Sequence, residues 1–296
     1  MAFPTISVIN FTSDLTDREV QEAIRAVNRQ ITEDFAPVWG AIWDLRLHAS
    51  PFDPAEPDTV AEDPVQGEAV LYLVDESHLP GAAGYHALNN AEKPYGFVFI
   101  TDPNEWTVTL SHEALELIID PTVNVLVPGP DPRPGQSDSQ VLHAYEVCDA
   151  VERTSYEIDG IGVSNFITQQ WFFSGEAAGT RNDFLGVGVG SFGATSGSHL
   201  AFFDLNAGSW VTFFGGAREL SRAYAVRQAE FEHDRPRPEE EPLMKLLNQL
   251  KADPPPFLRD LPRKSLQIFD GVTRTGRREA ARNRPGRGER VVEKSR

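Results

Sequence analysis

Apolar positions in the first half of the chain fall into short runs separated by polar punctuation. Residues 5–12 (Thr-Ile-Ser-Val-Ile-Asn-Phe-Thr) alternate as a strand. Thr16 or Asp17 then caps a helix through about Asp34, with Val20, Ala23, Ile24, Val27 and Ile31 at helical spacing. Trp39 to His48 alternates as a second strand, Ala69–Val74 is a continuous apolar run suited to a buried strand, and Gly96–Thr101 is another. Pro51–Gly67, rich in Pro, Asp and Glu, reads as a loop. After the turn Asp102-Pro-Asn-Glu105, the segment Trp106–Asp120 has the spacing of a mostly buried helix, with Leu110, Leu115, Leu117, Ile118 and Ile119 covering most of its surface.

In the second half, Val127–Gly135 is a Pro/Gly-rich loop, and Ser139–Val151 has the pattern of a second helix carrying His143, Glu146 and Asp149, with Glu152 just beyond. Residues 155–173 predict a β-hairpin around Asp159-Gly160. Gly188-x-Gly190-x-x-Gly193 has the spacing of a dinucleotide fingerprint, but Ser198-His-Leu-Ala-Phe-Phe203 follows it and no helix opens there, so a loop is expected. Ala217–Glu232 predicts a late helix, His233–Pro242 an acidic proline linker and Leu243–Leu250 a short amphipathic helix. The organisation expected is a core over residues 1–235, a proline-rich linker with a short helix over 236–262, and a basic, disordered tail over 263–296.

A chain of 296 residues suffices for a large core. It has no run of 18 apolar residues, which argues against a membrane span. Met1–Thr12 has no basic segment before its apolar one and so does not read as a signal peptide. The lone cysteine, Cys148, excludes an intrachain disulfide framework and suits a reducing compartment, predicting a cytoplasmic protein unless it leaves by a non-classical route. The net charge of −17 is uneven: residues 263–296 hold 11 basic against 4 acidic side chains, or +7, leaving 16 against 40, or −24, for the rest. So acidic a body is not expected to bind nucleic acid.

The chemistry concentrates on the Trp106–Asp120 helix. At 100° per residue, His112, Glu116, Asp120 and Glu113 fall at about 0°, 40°, 80° and 100°, on one face of an otherwise apolar helix. A buried helix with three carboxylates and a histidine needs something to neutralise them, and a metal ion does so. In this H-E-x-x-E pattern His112 and Glu116 project side by side and share one cation, while Glu113 points at a water on it. The competing explanation is a helix with one solvated polar face. A catalytic zinc takes three protein ligands and keeps a position for water. Glu146 is the first choice for the third, with His143 and Asp149 as competitors. Asp149 or Asp120 is expected to accept the Nδ1–H of His112 and fix its tautomer.

Strand, helix, strands and active helix, with a later glutamate and an aspartate after it, resemble the zincin fold of metallopeptidases. The resemblance is to the glutamate-using (gluzincin) branch, in which an aspartate ends the helix where Asp120 stands. More narrowly, His112-Glu-Ala-Leu-Glu-Leu-Ile-Ile-Asp-Pro121, then Glu146-Val-Cys-Asp149 and Val163-Ser-Asn-Phe166, are similar to bacterial and phage proteins whose helix reads H-E-L-L-E-M-L-V-D-P. The similarity spans roughly residues 90–175. It implies an α+β fold: a zincin-like core whose mixed sheet packs on the H-E-x-x-E helix, with β-hairpins and a C-terminal helical segment. It also implies His112, Glu116 and Glu146 as metal ligands, Asp120 and Asp149 behind them, and Glu113 as the general base of a peptidase acting on a peptide or protein.

Glu116 departs from the family, where a second histidine stands; the harder, more anionic donor set admits Mn²⁺ or Ca²⁺ beside Zn²⁺ and weakens the metal as a Lewis acid. The strand Gly96–Thr101 is expected to receive substrate as an added strand, and Tyr145, Tyr156 and His199 are the candidate oxyanion donors. Two other readings stand beside the peptidase. One is a catalytically inactive binding or structural module associated with phage or secretion, and the other is a metallohydrolase for non-protein amides or esters.

Overall fold

β1 (Thr5–Asn10) leads into α1 (Asp17–Arg29) through a capping box. Thr16 Oγ1 accepts the Glu19 N–H, while the Glu19 carboxylate takes the Thr16 N–H at 2.8 Å. α1 buries Val20, Ala23, Ile24 and Val27 and packs on β2 (Asp44–His48). It continues through a wider π-turn, Gln30–Phe35, into α2 (Ala36–Trp39). Trp39, expected to open a strand, is therefore helical, and Gly40 ends the helix at φ +74°, a conformation glycine adopts without penalty.

The structure is a computed structural model describing residues 3–49, 67–75, 77, 82–88, 92–136, 138–173 and 179–216. The expected loop 51–67 apart from Gly67, the late helix, the linker and the basic tail lie outside these residues. All described residues other than Asp204–Ser209 belong to one unit.

The fold is mixed α+β. A five-stranded sheet in the order β2-β1-β3-β5-β4 is parallel except for its last strand. β3 is Ala69–Val74, β5 is Pro94–Phe99, and the antiparallel edge strand β4 is Gly84–Leu88. One face carries Ile9, Val70, Tyr72, Tyr95, Phe97 and Phe99 as an apolar cluster, extended by Tyr85 and Ala87 of β4. On β4 the alternate residues Gly84, His86 and Leu88 point to the opposite face, where α3 (Trp106–Ile119) packs on β3, β4 and β5. The helix is laid closely on the sheet. A methyl on Gly84 would stand 2.7 Å from Thr109 Cγ2 and 2.8 Å from Glu113 Oε1, and one on Gly96, the neighbour of His86, would stand 2.7 Å from Leu71 Cδ2.

The other side of α3 is covered by β9 (Ile161–Ser164), paired with β8 (Ser155–Ile158) in a hairpin that turns where expected but ends at Ser164, Gln169–Phe172 forming a 3₁₀ turn instead of strand. Its turn, Asp159-Gly160, has φ of 53° and 79°, the left-handed pair of a type I′ turn. A second sheet, β11-β10-β7-β6, uses β6 (Leu126–Pro130), β7 (Gln140–Ala144), β10 (His199–Asp204) and β11 (Ser209–Phe214). Two expectations fail here. The Pro/Gly-rich stretch after Leu126 begins as a strand, because an edge position tolerates Pro128 and Pro130. Ser139–Val151 is not a helix: Val141 and Leu142 enter β7, paired with both β6 and β10. Short apolar runs do not separate strand from helix on pattern alone. The Gly188–Gly193 stretch is a loop with no helix after it, as expected.

A buried polar tie locks these layers. Ser111 Oγ on α3 donates to Gln30 Oε1 at 2.7 Å and accepts the Ser164 N–H of β9 at 2.9 Å, while Gln30 Nε2 donates to Ser164 O at 2.7 Å. Ser111→Ala leaves the Ser164 N–H and the Gln30 carbonyl unpaired, so the expected cost is about 1–3 kcal/mol in denaturant unfolding. Unchanged stability would show that the tie carries no weight.

Candidate metal centre

α3 sets His112 and Glu113 on one turn and Glu116 on the next, and Glu116 is the hinge of the cluster. Its Oε1 accepts the Cys148 N–H at 3.0 Å, pinning the segment after β7 to the helix. Its Oε2 lies 3.1 Å from His112 Nε2 and 3.6 Å from His86 Nδ1. Asp149 opens a short 3₁₀ turn, Asp149–Val151, and aims Oδ1 at His112 Nε2 from 3.2 Å. Its Oδ2 is 3.1 Å from Nε2 of His199, the first residue of β10, whose Nδ1 lies 3.2 Å from Glu152 Oε1.

β4 supplies the other histidine. His86 Nδ1 is 2.9 Å from Glu113 Oε2, and His86 Nε2 is 3.4 Å from Glu146 Oε2. That Nε2 is buried and makes no hydrogen bond. Glu113, Glu116, Asp120, Glu146 and Asp149 are all at most 9% exposed. Burial works against charge on His86 and His112. Glu146 and Glu113 overcome it for the first, and Glu116 and Asp149 for the second, so both are held well above the ordinary imidazole value. Burial lifts Glu116 to about 7, with His112 opposing and Asp149 and Glu146 reinforcing the rise. Asp149 goes the other way: despite burial, His199 and His112 hold it well below the usual carboxylate range. His199, opposed by burial, is raised to about 10 by Asp149 and Glu152.

Two sets of three donors emerge, His112–Glu116–Asp149 and His86–Glu116–Glu146, each with its ligand atoms within 4.8 Å of one another. Donors about 2.1 Å from a tetrahedral ion lie about 3.4 Å apart. His112 Nε2 lies 3.1 and 3.2 Å from its two carboxylate partners, and His86 Nε2 lies 3.4 Å from Glu146 Oε2, close to that spacing. The donors are imidazole and carboxylate with no thiolate, a set suited to Zn²⁺ or Mn²⁺.

The sequence-derived candidates sort as follows. His112, Glu116 and Asp149 converge, with Asp149 at His112 Nε2 and not at Nδ1. Glu146 groups with His86 instead of His112, and it leaves an irregular segment, not a helix. Asp120 accepts the Val125 N–H at 2.7 Å and the Thr122 hydroxyl at 3.0 Å, closing the end of α3. Burial lifts its carboxyl to about 6, against the Val125 hydrogen bond. His143 is not at the centre: it sits among Trp171, Phe192 and Phe202, with Nε2 2.9 Å from Pro130 O, and burial lowers it to about 4. Of the three oxyanion candidates, His199 is at the centre, whereas the Tyr156 hydroxyl donates to Asp34 and Tyr145 packs on Trp39 and Phe172. Cys148 has a buried thiol whose pKa burial raises; only its backbone N–H serves the site.

Sequence reasoning missed His86 because it missed β4. The available signal was the alternation of Gly84-Tyr-His-Ala-Leu88 shortly after Pro80-Gly81, which reads as a short strand. The edge of the sheet is correspondingly β4: the segment expected to receive substrate, Gly96–Thr101, falls largely on β5, which is paired on both sides.

The described residues thus define an α+β protein with a buried histidine–carboxylate centre between an edge strand and a long helix. No family model and no curated protein matches the chain. A solved structure, "Structure of a chaperone-substrate complex", aligns at 17% identity over 45% of this chain and 27% of that one, with a TM-score of 0.30, a likeness too slight to bear on fold or function. Among the described residues no helix is long and apolar enough to cross a membrane.

The raised histidines give a direct test. Held above the ordinary imidazole value, the histidines must give up protons to ligate a cation, so affinity weakens as pH falls. Calorimetry of Zn²⁺ binding in buffers of different ionisation enthalpy is expected to show net proton release. Binding with no proton release would place the ion elsewhere.

Proposed function

We propose that the protein is a metal-dependent hydrolase of zincin type, acting as a peptidase. The observation that carries this reading is His112 Nε2 lying 3.1 Å from Glu116 Oε2 and 3.2 Å from Asp149 Oδ1. Three protein donors on packed elements are the number a catalytic zinc takes, and Mn²⁺ suits the same carboxylate-rich set. The mixed sheet supports it further, since antiparallel β4 runs at the sheet edge beside α3, where a peptide adds as a sixth strand.

A bound divalent cation supplies Lewis acidity toward a carbonyl and lowers the pKa of water. The remaining work falls to side chains. Glu113, next to His112 on α3, takes the proton from water and returns it to the leaving amine. His199 holds Asp149 in the donor set, and the Cys148 N–H fixes the Glu116 carboxylate. His199, with Nε2 on Asp149 and Nδ1 on Glu152, has both ring nitrogens engaged and steadies Asp149 instead of serving an oxyanion.

One observation favours a second reading, a metal-bearing binding module without hydrolysis. Glu113 Oε2 is engaged by His86 Nδ1 at 2.9 Å, which restrains the base. Assay of Glu113→Gln on a peptide library separates the two. Hydrolysis is expected to fall about 10²–10⁴-fold with metal content unchanged. Undiminished turnover would remove Glu113 from the mechanism, and a wild type that binds metal yet cleaves nothing would favour the binding module.

A further inference from the structure

The reading above uses one set of donors and leaves His86, Glu146 and one face of Glu116 without a role. We infer that the centre is dinuclear: a second divalent cation binds His86 Nε2 and Glu146 and shares Glu116 with the first. The inference rests on the metal-centre reading but not on hydrolysis.

Three independent features point to it. First, His86 Nε2 is a polar atom on a side chain 6% exposed, aimed into the cluster 3.4 Å from Glu146 Oε2 and making no hydrogen bond. A buried nitrogen so placed is costly unless something uses it. Second, the opposite ring nitrogen is spoken for. Nδ1 faces Glu113 Oε2 at 2.9 Å, the pairing by which a carboxylate orients a ligating histidine and fixes its tautomer, leaving the Nε2 lone pair for a cation. Third, the geometry of Glu116 suits a bridge. With Oε1 committed to the Cys148 N–H, Oε2 lies 3.1 Å from His112 Nε2, and Glu116 also groups with His86 and Glu146, one donor atom of each within 4.8 Å. Two ions sharing that carboxylate would stand about 3.5–4 Å apart, the spacing of two-metal hydrolase sites.

Charge agrees. Glu113, Glu116, Asp120, Glu146 and Asp149 are five buried carboxylates. One divalent cation offsets two of those negative charges, and a second leaves only one for the surrounding histidines and hydrogen bonds to meet. The donors on both sides are imidazole and carboxylate, so Mn²⁺ is a suitable occupant and probe.

Equilibrium dialysis of the full chain against Mn²⁺ tests the stoichiometry. The wild type is expected to hold about two equivalents, and His86→Ala about one. One equivalent in the wild type would overturn the second site while leaving the His112 site intact, and no binding would overturn both. Two equivalents in a folded His86→Ala would place the second ion elsewhere and overturn the inference. Electron paramagnetic resonance of the wild type at saturating Mn²⁺ removes dependence on the variant. Ions bridged through Glu116 are expected to give an exchange-coupled spectrum. The six-line signal of isolated Mn²⁺ at two equivalents would overturn the bridge.

Discussion

The Glu116 carboxylate, buried between two histidines and a backbone amide, is the constraint around which the rest of the molecule is arranged. Taking an ionised carboxylate out of water costs several kcal/mol even after the protein relaxes, while a folded domain has a net stability of only roughly 5–15 kcal/mol. Five such groups around α3 therefore demand compensation at close range. Imidazoles at 2.9–3.6 Å provide part of it and at the same time present nitrogen donors to a common space. A buried centre lined in this way with imidazole and carboxylate donors could hold a metal ion.

The fold serves that centre by controlling approach. β4 comes within reach of α3 because Gly84 and Gly96 have no side chains where the helix and His86 need room. The β8–β9 hairpin holds the opposite side of the helix, and the Gln30–Ser111–Ser164 tie fixes α1, α3 and β9 in one register. The segment 145–149 follows β7 with little regular structure, so its position depends on tertiary bonds: Tyr145 N–H to Val125 O, Cys148 N–H to Glu116 and Ile167 N–H to Val147 O. Together they deliver Glu146 and Asp149 to the helix.

The elements with strong local signals were legible in the sequence. α1 showed a capping residue at Thr16 or Asp17 and a clean apolar stripe, β3 a continuous apolar run, and the Asp159-Gly160 hairpin its turn residues. α3, with His112, Glu113 and Glu116 on one face, was evident from 3.6-residue spacing alone. The failures share a cause. β4 and β7 are five-residue strands defined by pairing with distant segments, and five residues carry too few periods to distinguish strand from helix or loop. His86 was lost with β4, and Glu146 was placed on a helix that does not exist. Asp149 was named as a competitor, but its position at His112 Nε2 depends on the path of the chain after β7. His143 shows the converse: a polar residue beside the right motif that the sheet carries into an aromatic nest.

The central claim, that these carboxylates and histidines hold a metal ion, is tested most directly by elemental analysis. Inductively coupled plasma mass spectrometry would be run on untagged protein incubated with Zn²⁺ or Mn²⁺ and desalted, alongside Glu116→Gln, which keeps the oxygen that accepts the Cys148 N–H. At least about one equivalent in the wild type and loss in the variant is the expected result, because Glu116 belongs to both donor sets. A wild type free of metal, or a variant that retains it in full, would contradict the account.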